Sequence, residues 1–66
     1  MRDIERIDKV LARIGAAWKM MPDMRLAQMF VDIQQNQHQD LYYKEDEDLA
    51  ELFVAFVEYY TGRKVE

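Results

Sequence analysis

The sequence predicts an all-α fold, a small three-helix bundle built as a single domain over residues 1–66. Apolar residues recur at steps of three and four through three stretches, which sets them along one side of a helix in each. One proline, Pro22, and a polar run over 34–39 separate the stretches. Half of the residues are apolar or aromatic, enough to exclude disorder. A chain this short buries only about 60% of the surface its unfolded form exposes. With no cysteine, neither a disulfide nor a thiolate–metal site can reinforce it. Stability must come from helix packing, from association, or from both.

The first helix is expected over about residues 3–20. Ile4, Ile7, Leu11, Ile14, Trp18 and Met21 form its stripe, widened by Val10 and Ala17. Asp3 suits the positive end of the helix dipole, and Glu5 precedes Lys9 by four in the favoured acid-first order. Gly15 costs roughly 1 kcal/mol relative to alanine in a helix interior. It reads either as a point of close approach for another helix or as a tolerated surface glycine.

Pro22 stops this helix, because the residue before a proline is pushed out of helical dihedrals. The second helix is expected over about 23–35, opened by Pro22 at its first position or by Asp23 as N-cap. Leu26, Met29, Phe30 and Ile33 face inward. Residues 34–39 then read as a fraying end and a solvated loop. His38 stands alone there, short of the three or four ligands that zinc takes. Leu41-Tyr42-Tyr43 reads as a short extended segment dropping back onto the core.

The third helix is expected over about 46–60, with Leu49, Leu52, Phe53, Phe56, Val57 and Tyr60 inward. Gly62 fits the position after its end, and Arg63 and Lys64 complement the negative end of its dipole. The expected core is Ile7, Leu11, Ile14, Trp18, Leu26, Phe30, Ile33, Leu49, Phe53 and Phe56. Helix three is apolar over well over half its circumference, so it either sits centrally or offers one side as an interface. Val54 and Tyr59 are the candidate apolar interface. Met20 and Met24 are candidates for an exposed patch at the proline corner.

The net charge of −4 is unevenly placed. Residues 1–22 carry five basic and three acidic side chains, whereas residues 44–66 carry three basic and seven acidic ones. Helices one and three are therefore expected to attract each other. The acidic balance argues against direct nucleic-acid binding, which needs clustered Lys and Arg. The run Glu45-Asp46-Glu47-Asp48 lacks the alternate spacing and the glycine of a calcium loop, and it suits a helix N-terminus. There is no serine or cysteine and a single threonine, Thr61, so no nucleophile–base pair is visible. No catalytic, cofactor or metal site is expected. The charged start MRDIERIDK lacks the apolar run of a secretory signal, and no stretch approaches the roughly 20 apolar residues of a membrane span. A cytoplasmic protein without a membrane partner is expected.

The stretch from Trp18 through Pro22-Asp23-Met24-Arg25-Leu26-Ala27-Gln28, with Leu41-Tyr42-Tyr43 and Glu45-Asp46-Glu47-Asp48-Leu49 downstream, resembles a family of short uncharacterised bacterial and phage proteins. That family has a Trp, then Pro-Asp-Leu-Arg-Leu-Gly-Gln, then an aromatic pair before Glu-Asp. The resemblance spans about residues 10–53 and departs at Met24 and Ala27, where the family often has Leu and Gly. It implies a bacterial or prophage, cytoplasmic context and no particular activity.

The same motif has a physical reading. Arg25 lies in the first turn of helix two, where a cation opposes the dipole, so it is expected to pair with a carboxylate, Asp46 above all. Asp23 caps the helix, and Tyr42 and Tyr43 pack over Trp18 and Pro22. Trp18, Asp23, Arg25, Tyr42, Tyr43 and Asp46 thus form either a structural latch or a partner surface. The expected function is a small non-enzymatic protein–protein interaction module, with homodimerisation as one form. The rival is a phage-type acidic inhibitor that mimics nucleic acid to block a host nucleic-acid-binding protein.

Overall fold

The computed structural model describes residues 3–37 and 40–65, the Gln37 side chain excepted. The chain is all-α: helix α1 spans Glu5–Lys19, α2 Leu26–Gln37 and α3 Asp46–Thr61, with a single 3-10 turn at Leu41–Tyr43. His38, weighed as a metal ligand, lies outside the described residues.

Local chemistry sets the boundaries. The Asp3 carboxylate accepts the Glu5 N–H at 3.0 Å and supports the start of α1. The helix ends in tightened turns, Met20 N–H to the Ala17 carbonyl and Met21 N–H to the Trp18 carbonyl. Helix α2 begins three residues later than expected, at Leu26, and Asp23 does not cap it. The Gln28 side chain reaches back instead to accept the Arg25 N–H at 3.1 Å, one half of a capping box. The Asp40 side chain accepts the Tyr42 N–H at 2.9 Å, which folds the segment ahead of α3 into a 3-10 turn rather than an extended strand. Helix α3 ends as expected at Gly62, whose φ of 69° is left-handed and whose N–H donates to the Glu58 carbonyl. Beyond it the tail turns inward. The Val65 N–H donates to the Glu58 carboxylate at 2.9 Å, and the Val65 side chain is buried.

Helix α3 is the central element, packed chiefly on α1 and also on α2. Its buried residues Ala50, Phe53, Val54, Phe56 and Val57 face both neighbours, joined by Ala17, Met29, Ile33, Leu41 and Val65. Each large aliphatic side chain so buried stabilises the fold by about 1.5–3 kcal/mol. Because α3 is central, Val54 is only 4% exposed and offers no interface. Met20 and Met24 likewise pack against the core rather than forming an open patch. Leu41 is the anchor of the Leu41-Tyr42-Tyr43 segment, while both tyrosines stay outside.

The main correction concerns α1. The N-terminal half of its expected stripe is turned away from α3, with Ile4 76% exposed, Ile7 44% and Leu11 60%, whereas Ile14, Trp18 and Met21 pack against the core as expected. The face against α3 centres on the residues that widen the stripe, Val10 and the fully buried Ala17, together with Ile14, and Arg6 and Arg13 lie along its edge. Arg6 Nε donates to the Asp46 carboxylate at 2.9 Å. Arg13 makes a two-pronged contact with Glu51, at 2.9 and 3.2 Å. Both pairs advance in the same sense along the two helices, so α1 and α3 run parallel. Rotating α1 to bury Ile7 and Leu11 would carry both arginines off the acidic edge of α3. The small Ala17 lets the helices approach without a large side chain between them. Leu26, also expected inside, is 41% exposed because it opens α2 at the edge of the bundle.

This register makes a contrast in stability. Phe53→Ala should cost about 3–5 kcal/mol, whereas Leu11→Ala should change stability by no more than about 0.5 kcal/mol. Denaturant titration followed by far-UV circular dichroism measures both. Comparable losses at the two positions would put Leu11 in the core and overturn the observed rotation of α1.

Candidate functional site

The six residues of the proline-corner motif divide into separate structural roles. Trp18 is partly buried against the core, and its indole Nε1–H donates to the Met24 carbonyl at 2.7 Å. This bond fixes the loop between α1 and α2 to the last turn of α1. Asp23 is exposed in that loop. Arg25 is exposed too, and among the described residues its guanidinium forms no ion pair; Asp46 is held by Arg6. The expected Arg25–Asp46 latch is therefore absent, and the cation that meets the acidic start of α3 comes from α1. Tyr42 and Tyr43 are about four-fifths exposed and stack edge-to-face on each other, 4.9 Å between centroids, rather than over Trp18 and Pro22. A latch does exist, but it consists of the indole and one carbonyl.

What remains exposed is more telling. Ile4, Ile7 and Leu11 form an aliphatic strip along the outer side of α1. At its C-terminal end the strip runs into a groove of about 680 Å³ between α1 and the tail after α3. Leu11, Ala12, Gly15, Ala16 and Met20 line this groove on the α1 side, with Lys19, Arg63 and Lys64 at its polar edges. A Cβ added at Gly15 would meet nothing within 4 Å, so this glycine permits no close approach inside the monomer. Sequence reasoning missed the groove because the strip was assigned to the core and the tail was not expected to fold back. A second, smaller cleft of about 280 Å³ lies between α2 and α3, where Tyr59 and Tyr60 meet Ile33, Leu52 and Phe56. Tyr59, the surviving half of the expected helix-three interface, is exposed there.

Among the described residues no group of three or more His, Cys, Asp or Glu side chains converges to hold a metal ion. No buried side-chain nitrogen or oxygen among them lacks a hydrogen bond. No helix is long and apolar enough to cross a membrane. Charge and hydrogen bonding perturb a carboxyl in the α1–α3 seam. The Arg13 guanidinium holds the Glu51 carboxyl below its ordinary range, first through the hydrogen bond and further through charge, and Glu51 raises Arg13 in return.

No family model, curated protein or solved structure matches this chain.

Two outcomes follow from these contacts. Trp18→Phe keeps the aromatic bulk but leaves the Met24 carbonyl without its donor, and should lower stability by about 1 kcal/mol in denaturant titration. An unchanged midpoint would mean that water replaces the indole without loss. Glu51 has a lower pKa folded than unfolded, so its contribution is present above the ordinary carboxylate range and is lost as pH falls through the depressed folded value. Glu51→Gln should therefore flatten the acid-side fall of melting temperature relative to the parent chain. Parallel melting-temperature profiles from pH 6 to pH 2 (on the order of the range bracketing carboxylate titration) would remove the seam from the stability account.

Proposed function

We propose that this chain is a small, non-enzymatic protein–protein interaction module of bacterial or prophage origin, acting in the cytoplasm through the outer face of α1. The observation that carries the proposal is the strip of Ile4, Ile7 and Leu11 left in water by a helix that spends its arginines on the fold. Branched aliphatic side chains have no polar group to satisfy, so each gains about 1.5–3 kcal/mol when a partner covers it fully. The exposed tyrosines carry hydroxyls that water serves well and make a weaker case. A contiguous apolar surface on so small a protein generally marks association. The bacterial or prophage context is the one implied by the Trp18 to Leu49 motif and its resemblance.

The acidic-mimic alternative has less support. Of the acidic residues on α3, Asp46 and Glu51 each carry an arginine from α1, which reduces any continuous phosphate-like row along that helix. The test compares the tagged chain with an Ile7→Glu/Leu11→Glu variant in capture from a bacterial lysate. Both positions are exposed, so the variant should fold, as checked by circular dichroism. The expected result is a specific protein, or a second copy of the chain, retained by the parent and lost at least tenfold in the variant. Equal retention by the two chains overturns the assignment to α1.

A further inference from the structure

The outer face of α1 divides into two unlike halves. The N-terminal half presents Ile4 and Ile7 with the carboxylates Asp3, Glu5 and Asp8, all exposed. The C-terminal half presents the groove, where small residues Ala12, Gly15 and Ala16 adjoin Lys19, Arg63 and Lys64. None of these three cations forms an ion pair among the described residues. Cations beyond helix ends are expected from the dipole alone. That does not explain why no carboxylate lines the groove in a chain carrying a net charge of −4. Glu58 lines the adjoining cleft with Gly62, Arg63 and Lys64, and its carboxylate accepts the Val65 N–H.

Bulky and acidic at one end, small and basic at the other, the face is complementary to itself when turned end over end. On this ground we propose that the groove receives the N-terminal half of α1 from a second copy of the chain, in an antiparallel pair with a two-fold axis near Leu11 and Ala12. The proposal rests on the reading of α1 as the docking face and names what covers it.

The register follows from the helix repeat. Ile4, Asp8, Leu11, Gly15 and Lys19 lie along the midline of the outer face, spaced four, three, four and four. In the antiparallel pair Leu11 meets Ala12 of the other copy, and Asp8 lies over Gly15 of the other copy within reach of its lysine at position 19. Ile4 lies on the aliphatic stem of that lysine. The open space around Gly15 is what allows the two helices to approach this closely. Glu5 then falls beside the other copy's Arg63 and Lys64. A two-fold interface uses the same patch twice, so both halves of each face are covered and no open end remains to recruit a third copy. Two short helices and two tails make an interface at or below the low end of stable assemblies, about 1,200 Å². Association should therefore be concentration-dependent, and the charge pairs at its rim should make it weaken with added salt.

Sedimentation equilibrium over a wide concentration range, with circular dichroism as a check of folding, tests this arrangement. The parent chain should show a monomer–dimer equilibrium whose dissociation constant rises at least several-fold at high salt. Gly15→Leu fills the floor of the groove without touching the monomer's own core, and should give a folded species that stays monomeric. The charge variants give an independent arm. Asp8→Lys sets lysine against Lys19 across the axis, and Lys19→Glu sets glutamate against Asp8, so each alone should be at least tenfold weaker in self-association. Mixed in equal amounts, the two should pair with each other and regain parent-like affinity. A parent chain that is monomeric throughout overturns the proposal, as does a dimer that survives Gly15→Leu or a mixture no tighter than its components. A monomeric parent that still captures a foreign protein, with capture lost in Ile7→Glu/Leu11→Glu, removes self-pairing while leaving α1 as the docking face.

Discussion

Everything in this fold depends on α3 having more apolar surface than one neighbour can cover. Ala50, Phe53, Val54, Phe56 and Val57 span a broad arc of that helix, and the arc needs two helices and the returning tail to close over it. The 66-residue chain gives α3 those covers at the expense of its flanking helices, which keep part of their own apolar residues outside. Hydrophobic burial is non-directional, so apolar area alone does not decide which side of α1 faces inward. The direction comes from Arg6 and Arg13, whose partners Asp46 and Glu51 sit along one edge of α3. Exposed ion pairs of this type contribute little to overall stability. Their effect here is on orientation: two fixed points along parallel helices leave α1 one rotation and one register.

That division explains what could be read in the residues and what could not. The apolar periodicity of helix three, the glycine after its end and the break at Pro22 are local signals, and each corresponds to an observed element or boundary. The attraction between a basic first helix and an acidic third was likewise legible in the charge distribution. The rotation of α1 was not, because its most apolar stripe and its packed stripe differ by about one residue step, or roughly 100° of helix. Charge asymmetry was the clue that could have found it, since the arginines at 6 and 13 lie on one side of α1 and the acids at 46 and 51 on one edge of α3. The dipole argument points Arg25 to the acidic run, yet Arg6 takes Asp46, Arg25 forms no ion pair among the described residues, and α2 starts later than its proline suggests. The candidate interface moved for the same cause. Val54 is covered because α3 is central, and the aliphatic residues exposed in its place are those of the rotated α1.

The tail after α3 shows how few residues can shape a surface. Gly62 reverses the chain with a left-handed φ, Thr61 accepts the Arg63 N–H, and Glu58 holds the Val65 N–H. Buried Val65 anchors the segment, while Arg63 and Lys64 are left along the groove beside Lys19. Without that reversal the outer face of α1 would keep Lys19 but lose Arg63, Lys64 and the edge on that side.

The parallel docking of α1 on α3 also bears on how the chain finds its structure. Its two ion pairs join residues 40 and 38 positions apart, with the whole of α2 looped out between them. Closing such a loop costs conformational entropy before any contact repays it, a cost that grows as about (3/2)RT ln n with loop length. Helical proteins usually fold fast because their contacts are local. Here the α1–α2 corner, with its short connection and its Trp18 tether, is the local contact, yet the larger packing surface joins α1 to α3. The contacts nearest in sequence are thereby separated from the largest packing surface, and by loop-closure entropy alone the main seam of this short chain is its costliest to close.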